Sequence, residues 1–450
     1  MSHSPGGSGP RVVVVGGGVI GLSCAYYLAR GGADVVVLER RHVGAGASSG
    51  NAGTISAGHP PLNRPGRISA ALRQMLDPTS PLYIRPRWDP VLWRWLARFA
   101  RYCTDDHVEH AMGVMAPLGK DALGLFETLL REERIECDYR GEGYYDVCST
   151  EEGLENARHE AEIIERYGYH PEYLDGEELR RREPALAPGV VGGVLYPEAA
   201  TLRPSLFLER LAAVCRKSGV EIREGAEVVG LAIIGGRVSG VQARALDITD
   251  KRHVDGYGDA SPRVRRGSES TASELEGADC VVLANGPWVV DLASQVDVRL
   301  PVQPGKGYHR DIEIGPNGAP SLRVACVLNE SSVFCTPMES WVRFAGTMEF
   351  SGMNHVLRPE RLRQLGQAAR EAFPGLGSAR PNSQWVGLRP MSVDGLPIVG
   401  PLGGVDGLFV ATGHGMLGLT LGPVTGEIVA NMALAGGDAR AGPLAPSRFD

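Results

Sequence analysis

Three glycines near the start of the chain stand at a spacing that suits the binding of a nucleotide diphosphate. Gly16, Gly18 and Gly21 form the pattern G-x-G-x-x-G, and Glu39 ends the next apolar run, DVVVLE. Gly16 permits a tight turn, Gly18 lets a diphosphate approach the backbone, and Gly21 lets a helix pack close to a strand. Glu39 is placed to bind ribose hydroxyls, and its charge disfavours a 2′-phosphate.

The residues around these glycines predict a strand, a helix and a second strand. Residues 12–15 are four valines without alternation, which is typical of a strand buried on both faces. Apolar residues then recur at helical spacing from Leu22 to Ala29, and residues 35–38 predict the second strand. The free N–H groups and the positive dipole end at the start of this helix suit a diphosphate. The unit therefore predicts an adenine dinucleotide, NAD or FAD.

Later segments must complete this nucleotide-binding sheet, because the first unit is followed by a helical region with few strands. Residues 202–243 predict a helix, a strand and a hairpin turning at Gly235–Gly236, and residues 278–293 predict a buried strand that ends in glycine. The chain closes with another apolar strand and helix. A discontinuous domain is typical of large flavoproteins, and the isoalloxazine of FAD needs a second domain to cover it. The sequence therefore favours FAD over NAD.

We predict two domains, each assembled from separate stretches of the chain. The FAD-binding domain comprises residues 11–80, 203–300 and 386–440. The substrate domain comprises residues 81–202 and 301–385 and includes the helical pattern over 107–134. Residues 246–277 are polar with few aliphatic side chains, which predicts an inserted surface loop.

Composition narrows the class of partner and the compartment. The net charge is −7, and no basic stripe is interleaved with aromatic residues, which argues against nucleic acid. Eight cysteines without a C-x-x-C pair are typical of reduced thiols in a cytoplasmic protein. Because neither a signal-peptide core nor a long apolar run is present, we expect a protein that is soluble or at most peripheral to a membrane.

Six segments in the same order resemble the D-amino-acid oxidase superfamily, and most closely its bacterial D-amino-acid dehydrogenases. They are VVVVGGGVIGLSCAYYLARGGADVVVLER, SSGNAGTIS, LANGPW, PVQPGKGY, WVGLRPMSVDGLPIVG and GHGMLGLTLGP. The resemblance implies an α/β fold, with a Rossmann-like FAD domain of the glutathione-reductase type and a second α+β substrate domain built on an antiparallel sheet. It also implies amine oxidation by hydride transfer from the α-carbon to flavin N5, giving an imine that hydrolyses to a 2-oxo acid and ammonia.

The same resemblance implies which residues contact FAD. They are Gly16, Gly18, Val19, Ile20, Gly21, Glu39, Arg40, Ser48, Ser49, Asn51, Ala52, Gly53, Val228, Ala284, Asn285, Gly286, Trp288, Arg389, Gly413, His414, Gly415, Met416, Leu417, Gly418 and Thr420. Backbone N–H groups before the last apolar helix would stabilise negative charge on reduced flavin. Some relatives attach flavin to a cysteine near the substrate-binding arginine, but no cysteine follows Cys335 here. We therefore expect non-covalent FAD.

Arg389, in the strand-like segment WVGLRPM, is the main candidate for binding the substrate. A buried cation needs an anionic partner, and the planar guanidinium matches a carboxylate bidentately. Tyr308 could add a hydrogen bond to the same carboxylate, and His59 could shape specificity. His414 either faces the flavin or is a structural histidine. We expect no metal site, because the reaction needs orientation of the amine more than acid–base groups.

Several alternatives remain open at this point. The substrate could be a secondary amine such as hydroxyproline, an N-methyl amino acid or glycine, or the chain could bind FAD without turnover. Hydroxylation is disfavoured, because GHG replaces the acidic GD motif of aromatic hydroxylases. The electron acceptor is oxygen or a quinone chain. The amphipathic helix over 91–103 could lie on an anionic bilayer through Leu92, Trp95, Leu96 and Phe99, or pack on the substrate domain.

Overall fold

The computed structural model describes residues 9–69, 80–248, 273–313, 322–376 and 381–450. Its helices are α1 (Val19–Arg30), α2 (Pro90–Arg101), α3 (Asp105–Glu132), α4 (Glu151–Glu165), α5 (Gly176–Arg182), α6 (Pro204–Lys217), α7 (Val289–Ala293), α8 (Pro359–Ala372) and α9 (Gly418–Ala435). The first strands are β1 (Arg11–Val15), β2 (Asp34–Glu39), β3 (Thr54–Ser56), β4 (Leu82–Ile84), β5 (Tyr144–Cys148), β6 (Glu172–Asp175), β7 (Gly192–Tyr196), β8 (Ala199–Thr201), β9 (Glu221–Glu224) and β10 (Ala226–Ile234). The later strands are β11 (Arg237–Ala245), β12 (Glu274–Gly277), β13 (Cys280–Leu283), β14 (Val302–Glu313), β15 (Cys326–Leu328), β16 (Val333–Pro337), β17 (Trp341–Phe350), β18 (Pro381–Ser392), β19 (Ile398–Pro401) and β20 (Leu408–Thr412).

A six-stranded sheet carries the glycine-rich segment. Its strand order is β19-β20-β13-β1-β2-β9, and all neighbours are parallel except β19 and β20. Val14 pairs with Val282 on one side and Val37 on the other, so strands far apart in sequence complete the sheet. The valines of β1 are buried, as the lack of alternation predicts. The carboxyl end of β1 leads directly to Gly16.

The hairpin of β10 and β11 does not join this sheet. It turns at Gly235 and Gly236, both with positive φ, as the sequence predicts. Together with β12 the hairpin forms a separate three-stranded antiparallel sheet. We expected the strand and the hairpin of this segment to help complete the nucleotide-binding sheet; the strand, β9, does so, and the hairpin does not. The central part of the polar insertion, 249–272, lies outside the described residues.

The second large sheet has nine strands and is mainly antiparallel. Its order is β18-β14-β17-β16-β15-β5-β7-β6, with β4 also paired to β17. The pairs β15–β5 and β17–β4 are parallel. Strand β18 runs through residue 386, where we expected the last FAD-binding segment to begin. Arg389 therefore stands on the second sheet.

We expected helix α3 in the substrate domain, and it packs on both sides: Met112 and Ala116 lie in one cluster with Ile163 and Ile164 of α4, whereas its other face contacts α1, α6 and α9. Thr104 caps it by accepting a hydrogen bond from His107 N–H. An apolar stripe that includes Met115, Ala122 and Phe126 lies in one core with α1, α6 and α9. The stripe is visible in the sequence, but the surface that it contacts is set by tertiary packing.

Helix α2 packs on the protein with the apolar face that we considered as a possible membrane-binding surface. Leu92 and Trp95 are 1% and 4% exposed and pack with Phe350, Met391 and Val393. Leu96 and Phe99 are partly buried against the same cluster, so most of this face packs on the protein. None of the helices in the described parts of the chain combines the length and apolar character needed to cross a membrane.

Candidate active site

A cleft of about 3440 Å³ lies along the glycine-rich loop, residues 45–60 and strands β17 and β18. Small-molecule pockets usually measure roughly 300–1,000 Å³. The cleft is therefore large enough for a dinucleotide together with a second small ligand. Among the described residues, no group of His, Cys, Asp or Glu side chains is arranged to hold a metal ion.

Two of the three glycines, Gly16 and Gly21, are required by close contacts between backbone segments. A Cβ on Gly21 would stand 1.9 Å from the Gly16 carbonyl oxygen, so α1 packs against the turn itself. Gly16 has φ +108°, and a Cβ there would stand 2.7 Å from the Ala284 carbonyl oxygen. Gly18 and the first residues of α1, Val19 and Ile20, line the cleft.

Glu39 holds the glycine-rich turn from the end of β2. Its Oε2 accepts a hydrogen bond from Gly17 N–H at 2.7 Å, and Oε1 accepts one from Arg41 N–H at 2.8 Å. Burial raises the pKa of Glu39, and the two backbone donors oppose that shift. Each carboxylate oxygen can accept a further hydrogen bond, so ribose hydroxyls can still be bound. The neighbouring Arg40 pairs with Glu227 at 3.1 Å.

The predicted flavin loop, residues 48–53, is folded by its own side chains. Ser48 Oγ accepts a hydrogen bond from Val19 N–H at 3.0 Å, which joins the loop to the start of α1. Asn51 Nδ2 donates to the Ser48 carbonyl at 2.7 Å, and Asn51 Oδ1 accepts from Gly53 N–H at 2.8 Å. Gly53 has φ +78°. The loop therefore presents its backbone to the cleft in a fixed shape.

Strands of the second sheet hold the same loop from the other side. Arg343 forms two 2.9 Å hydrogen bonds with Asp311 and donates from Nη1 to the Asn51 carbonyl at 3.1 Å. His309 Nδ1 lies 2.7 Å from the Gly50 carbonyl oxygen. Burial lowers the pKa of His309 to about 4, so its ring is neutral at physiological pH. We predicted neither role from the sequence.

The loop after β13 lines the cleft beside the glycine-rich turn. Asn285 Oδ1 is buried without a hydrogen-bond partner among the described residues. The Gly286 carbonyl accepts from Thr412 Oγ1 at 3.0 Å. Trp288 stacks on His355, with ring centroids 6.1 Å apart. Val228 and Ala284 also line the cleft.

The segment before α9 forms another wall of the cleft. Gly413 and Gly415 have positive φ, and no side chain caps the helix at Leu417. His414 Nε2 lies 3.0 Å from Thr425 Oγ1, whereas its Nδ1 is buried without a partner among the described residues. Burial lowers the pKa of His414 to about 3, which keeps the ring neutral. Gly418 and Met416 line the cleft.

Thr420 stands slightly apart from that wall. Its hydroxyl accepts a hydrogen bond from Ser56 N–H at 3.1 Å and so joins α9 to β3. Together, the position of the start of α1 at the cleft, the glycine contacts and the unpartnered polar atoms of Asn285 and His414 fit a dinucleotide cofactor. FAD would therefore be held by the glycine-rich turn, Glu39, the flavin loop and the start of α9.

Arg389 is a buried cation that faces the same cleft. Its Nη1 donates to the Thr347 carbonyl at 2.9 Å and lies 3.9 Å from Met348 Sδ. No carboxylate in the described part of the chain lies within ion-pair distance of its guanidinium. Loss of hydration lowers the pKa of Arg389 to about 10, so it remains charged at neutral pH. The guanidinium therefore has free donors for an anion in the cleft.

Trp385 completes the surface beside Arg389. A Cβ on Gly387 or on Gly50 would stand 2.0 or 2.3 Å from its ring, so the indole lies flat on two glycines. His309 stacks on the Trp385 ring, with centroids 5.3 Å apart. Alternation along β18 places Trp385, Gly387 and Arg389 on one face, so the sequence contained a signal for Trp385 that we did not use.

The structure does not bring Tyr308 to Arg389, contrary to our expectation. Arg389 pairs with Gly305 across β14 and β18, so alternation directs Tyr308 to the opposite face of the sheet. There its hydroxyl donates to Glu349 Oε2 at 2.7 Å. Lys306 lies on the same face, with Nζ 3.5 Å from Glu349 Oε1. Tyr308 still lines the cleft, but its hydroxyl is hydrogen-bonded to Glu349 on the face of the sheet opposite Arg389.

His59 lines the cleft at its loop-rich end. Its Nδ1 lies 2.6 Å from the Pro60 carbonyl oxygen, and burial lowers the pKa of the ring. No hydrogen bond or ion pair joins His59 to Arg389 within the described residues. A role in specificity remains a prediction.

Comparison with known proteins defines the family. The protein-family model described as FAD dependent oxidoreductase (DAO) matches residues 11–432 of this chain. The D-amino acid dehydrogenase of Methylobacterium nodulans is 34% identical over 429 residues, covering 94% of each chain. The D-amino acid dehydrogenase of Xylella fastidiosa strain M23 is 34% identical over 430 residues, covering 94% of this chain and 91% of the relative.

Solved structures show the same fold at lower sequence identity. Glycine oxidase from Bacillus cereus has a TM-score of 0.68 at 21% identity, covering 95% of this chain and 96% of that one. L-proline dehydrogenase from P. horikoshii has a TM-score of 0.70 at 17% identity, covering 99% and 98%. The predicted α/β fold and the FAD cofactor are thereby confirmed. The chain belongs to the DAO family of FAD-dependent oxidoreductases.

Proposed function

We propose that this enzyme oxidatively deaminates a D-amino acid and that Arg389 binds the substrate carboxylate. The observation that carries the proposal is the Arg389 guanidinium, which faces the cleft without a carboxylate partner among the described residues. The names of the relatives, D-amino acid dehydrogenase, support this substrate class. The products are a 2-oxo acid and ammonia, formed when the released imine is hydrolysed.

FAD, when bound, supplies the hydride acceptor for the α-hydrogen of the substrate. The chain contributes orientation, since a carboxylate fixed at Arg389 restricts where the α-carbon can lie. Arg343 and His309 fix the carbonyl groups of the flavin loop. Met348 and Met391 line the cleft near Arg389 and exclude water with apolar side chains. These residues therefore contribute by positioning the substrate and the flavin loop, and not as an acid–base pair.

The bound FAD is non-covalent in this proposal. None of the eight cysteines, all of which are in described residues, lines the cleft. Cys326 and Cys335 lie in the core on the same side of the second sheet as Tyr308, away from Arg389. Acid or heat should therefore release all flavin from the chain, and flavin retained on the denatured protein would contradict the proposal.

Anaerobic reduction of the bound flavin tests the substrate class. A panel of D-amino acids should bleach the yellow absorption band rapidly, and their L-enantiomers serve as matched controls. Faster bleaching by sarcosine, glycine or hydroxyproline would replace the proposed substrate with a secondary amine or glycine. No bleaching by any amine would indicate an FAD-binding protein without turnover.

The electron acceptor is a quinone or oxygen, and the reduced enzyme from this experiment separates the two. Mixing with air-saturated buffer measures reoxidation by oxygen, and anaerobic mixing with a soluble quinone measures the other route. The faster reaction at equal acceptor concentration identifies the acceptor.

A further inference from the structure

We infer that the Thr347 hydroxyl completes the carboxylate subsite and donates a hydrogen bond to the anion held by Arg389. This inference rests on the proposed role of Arg389. It adds a residue that determines how the substrate is positioned. Three observations carry it: the backbone of Thr347, its unpartnered hydroxyl and its link to Arg389.

Thr347 occupies a bulge in strand β17. Lys306 pairs with Glu349 and Tyr308 with Gly346, so residues 347–348 stand opposite Gly307 alone. At this bulge Thr347 has φ +64°. A β-branched residue rarely adopts the left-handed region, and such strain persists only where the surrounding structure enforces it. Glycine would adopt the same backbone without that strain.

The described residues offer the Thr347 side chain no hydrogen bond. Its Oγ1 is buried without a partner among the described residues, and the residue lines the cleft while being 6% exposed. A buried hydroxyl normally has a partner, because leaving it unpaired costs free energy. A ligand in the cleft can supply the missing acceptor.

The location of this hydroxyl favours an anionic ligand. The Thr347 carbonyl accepts from Arg389 Nη1 at 2.9 Å, so the bulge fixes the threonine beside the guanidinium. The positive charge there repels the ammonium group of an amino acid and attracts its carboxylate. A hydroxyl can donate to a carboxylate oxygen while Arg389 donates to the same group. The bulge therefore arranges two kinds of donor around one anion.

The test uses the FAD-loaded enzyme with Thr347→Val, Thr347→Ser and Thr347→Gly. Pyruvate is the probe, because it has the carboxylate of the product and no amine, and its Kd is measured from the change in the flavin absorption band. Thr347→Val should raise that Kd about 10- to 100-fold, since a hydrogen bond to a charged group is lost. Thr347→Ser should stay within about threefold of wild type. The KM for the best amino acid should follow the same order.

Thr347→Gly separates a ligand role from a structural one. It relieves the strained φ, so the melting temperature should not fall, yet pyruvate binding should weaken as in Thr347→Val. Asp297→Gly relieves another positive φ, at an exposed residue outside the cleft lining, and should leave pyruvate binding unchanged. If Thr347→Val does not fold, Thr347→Gly alone decides the question.

Two outcomes are distinguishable. Wild-type pyruvate affinity in Thr347→Val or Thr347→Gly, together with loss of binding in Arg389→Leu, would overturn the role of Thr347 and leave Arg389 as the carboxylate site. Wild-type affinity in Arg389→Leu would overturn the proposed function itself.

Discussion

The guanidinium of Arg389 lies directly on the backbone of Gly307, and a Cβ at residue 307 would stand 2.2 Å from Arg389 Cζ. The two residues are on neighbouring strands, where Arg389 pairs with Gly305. Glycine at 307 leaves room for the guanidinium to lie flat on the sheet, with Thr347 at its edge. The orientation of the arginine thus depends on a residue that has no side chain.

Gly307→Ala should displace Arg389 without unfolding the protein, because the atoms in contact are the end of a flexible side chain. We expect KM for the amino acid to rise at least about tenfold, as expected when a charge-assisted hydrogen bond is weakened. FAD content should be unchanged. Gly113→Ala, where a Cβ meets nothing within 4 Å, is the matched control. Normal KM in Gly307→Ala would show that the arginine does not need this position.

Arg389→Leu should lower kcat/KM about thirty- to several-thousand-fold, which corresponds to a loss of roughly 2–5 kcal/mol of transition-state stabilisation. The reason is loss of the bidentate contact, which lets the α-carbon move. Arg389→Lys should recover only part of the activity, since an ammonium lacks the planar fork. Steady-state kinetics and flavin content measure both effects. Loss of FAD in Arg389→Leu would assign the residue to the cofactor instead.

Carboxylate binding should weaken at alkaline pH. Burial lowers the pKa of Arg389 to about 10. The guanidinium is therefore fully charged at pH values well below 10, and its charge is lost as the pH rises through 10. Pyruvate affinity should therefore be constant near neutral pH and fall above about pH 10. Pyruvate is suitable because no amine of its own titrates in this range. Pyruvate binding that stays unchanged at higher pH would contradict the assigned pKa.

The nucleotide-binding half was predictable because its signals are local. Gly16, Gly21 and Glu39 lie within one β-α-β unit, where sequence spacing fixes spatial proximity. For helix α3 we predicted only one of its two packing partners, because an apolar stripe shows that a helix is buried but not against what. The same limit applies to α2 and its buried tryptophan, Trp95.

The sequence predicts where a strand lies more readily than which of its side chains point to a given face of the sheet. Tyr308 and Gly307 are neighbours, and only the pairing of β14 with β18 shows which of them lies under Arg389. The bulge at Thr347 has no sequence signal, since threonine is common in regular strands. The resemblance to the family identified Arg389, but its contacts depend on strand register.

Glu39→Ala should weaken FAD binding by about 1–3 kcal/mol, the usual cost of leaving buried hydrogen-bond donors unpaired. The carboxylate also holds Gly17 and Arg41, so the turn itself should loosen. Glu39→Gln keeps the shape and one acceptor and should lie between wild type and Ala. Equilibrium titration of the apoprotein with FAD measures the change. Equal FAD affinity in all three proteins would remove Glu39 from the cofactor site.

Acid should release FAD from the wild type through the same group. Burial raises the pKa of Glu39, so its carboxylate is protonated at a higher pH than an exposed glutamate. FAD affinity should fall as the pH drops through this raised value. In Glu39→Gln the FAD affinity should not fall over this pH range. Flavin fluorescence, measured during acid titration of the variant and of the wild type, distinguishes the two proteins. Identical curves would assign acid release to another group.

Arg343→Met should destabilise the apoprotein by about 3–5 kcal/mol, because it leaves the buried carboxylate of Asp311 without its ion pair. Burial alone would raise the pKa of Asp311, but the Arg343 hydrogen bonds lower it. The stabilisation is therefore present above the ordinary aspartate pKa and is lost as the pH falls through the lowered value. Urea unfolding at neutral and acidic pH measures this dependence.

The double variant Arg343→Met/Asp311→Leu is the control for the charge itself. It should recover most of the unfolding free energy, since no buried charge remains. It should not recover FAD affinity, because the Asn51 carbonyl still lacks the Arg343 donor that holds the flavin loop. Stability restored with FAD binding still impaired would assign two separate roles to Arg343. If the double variant binds FAD like the wild type, the hydrogen bond to the loop does not position the cofactor.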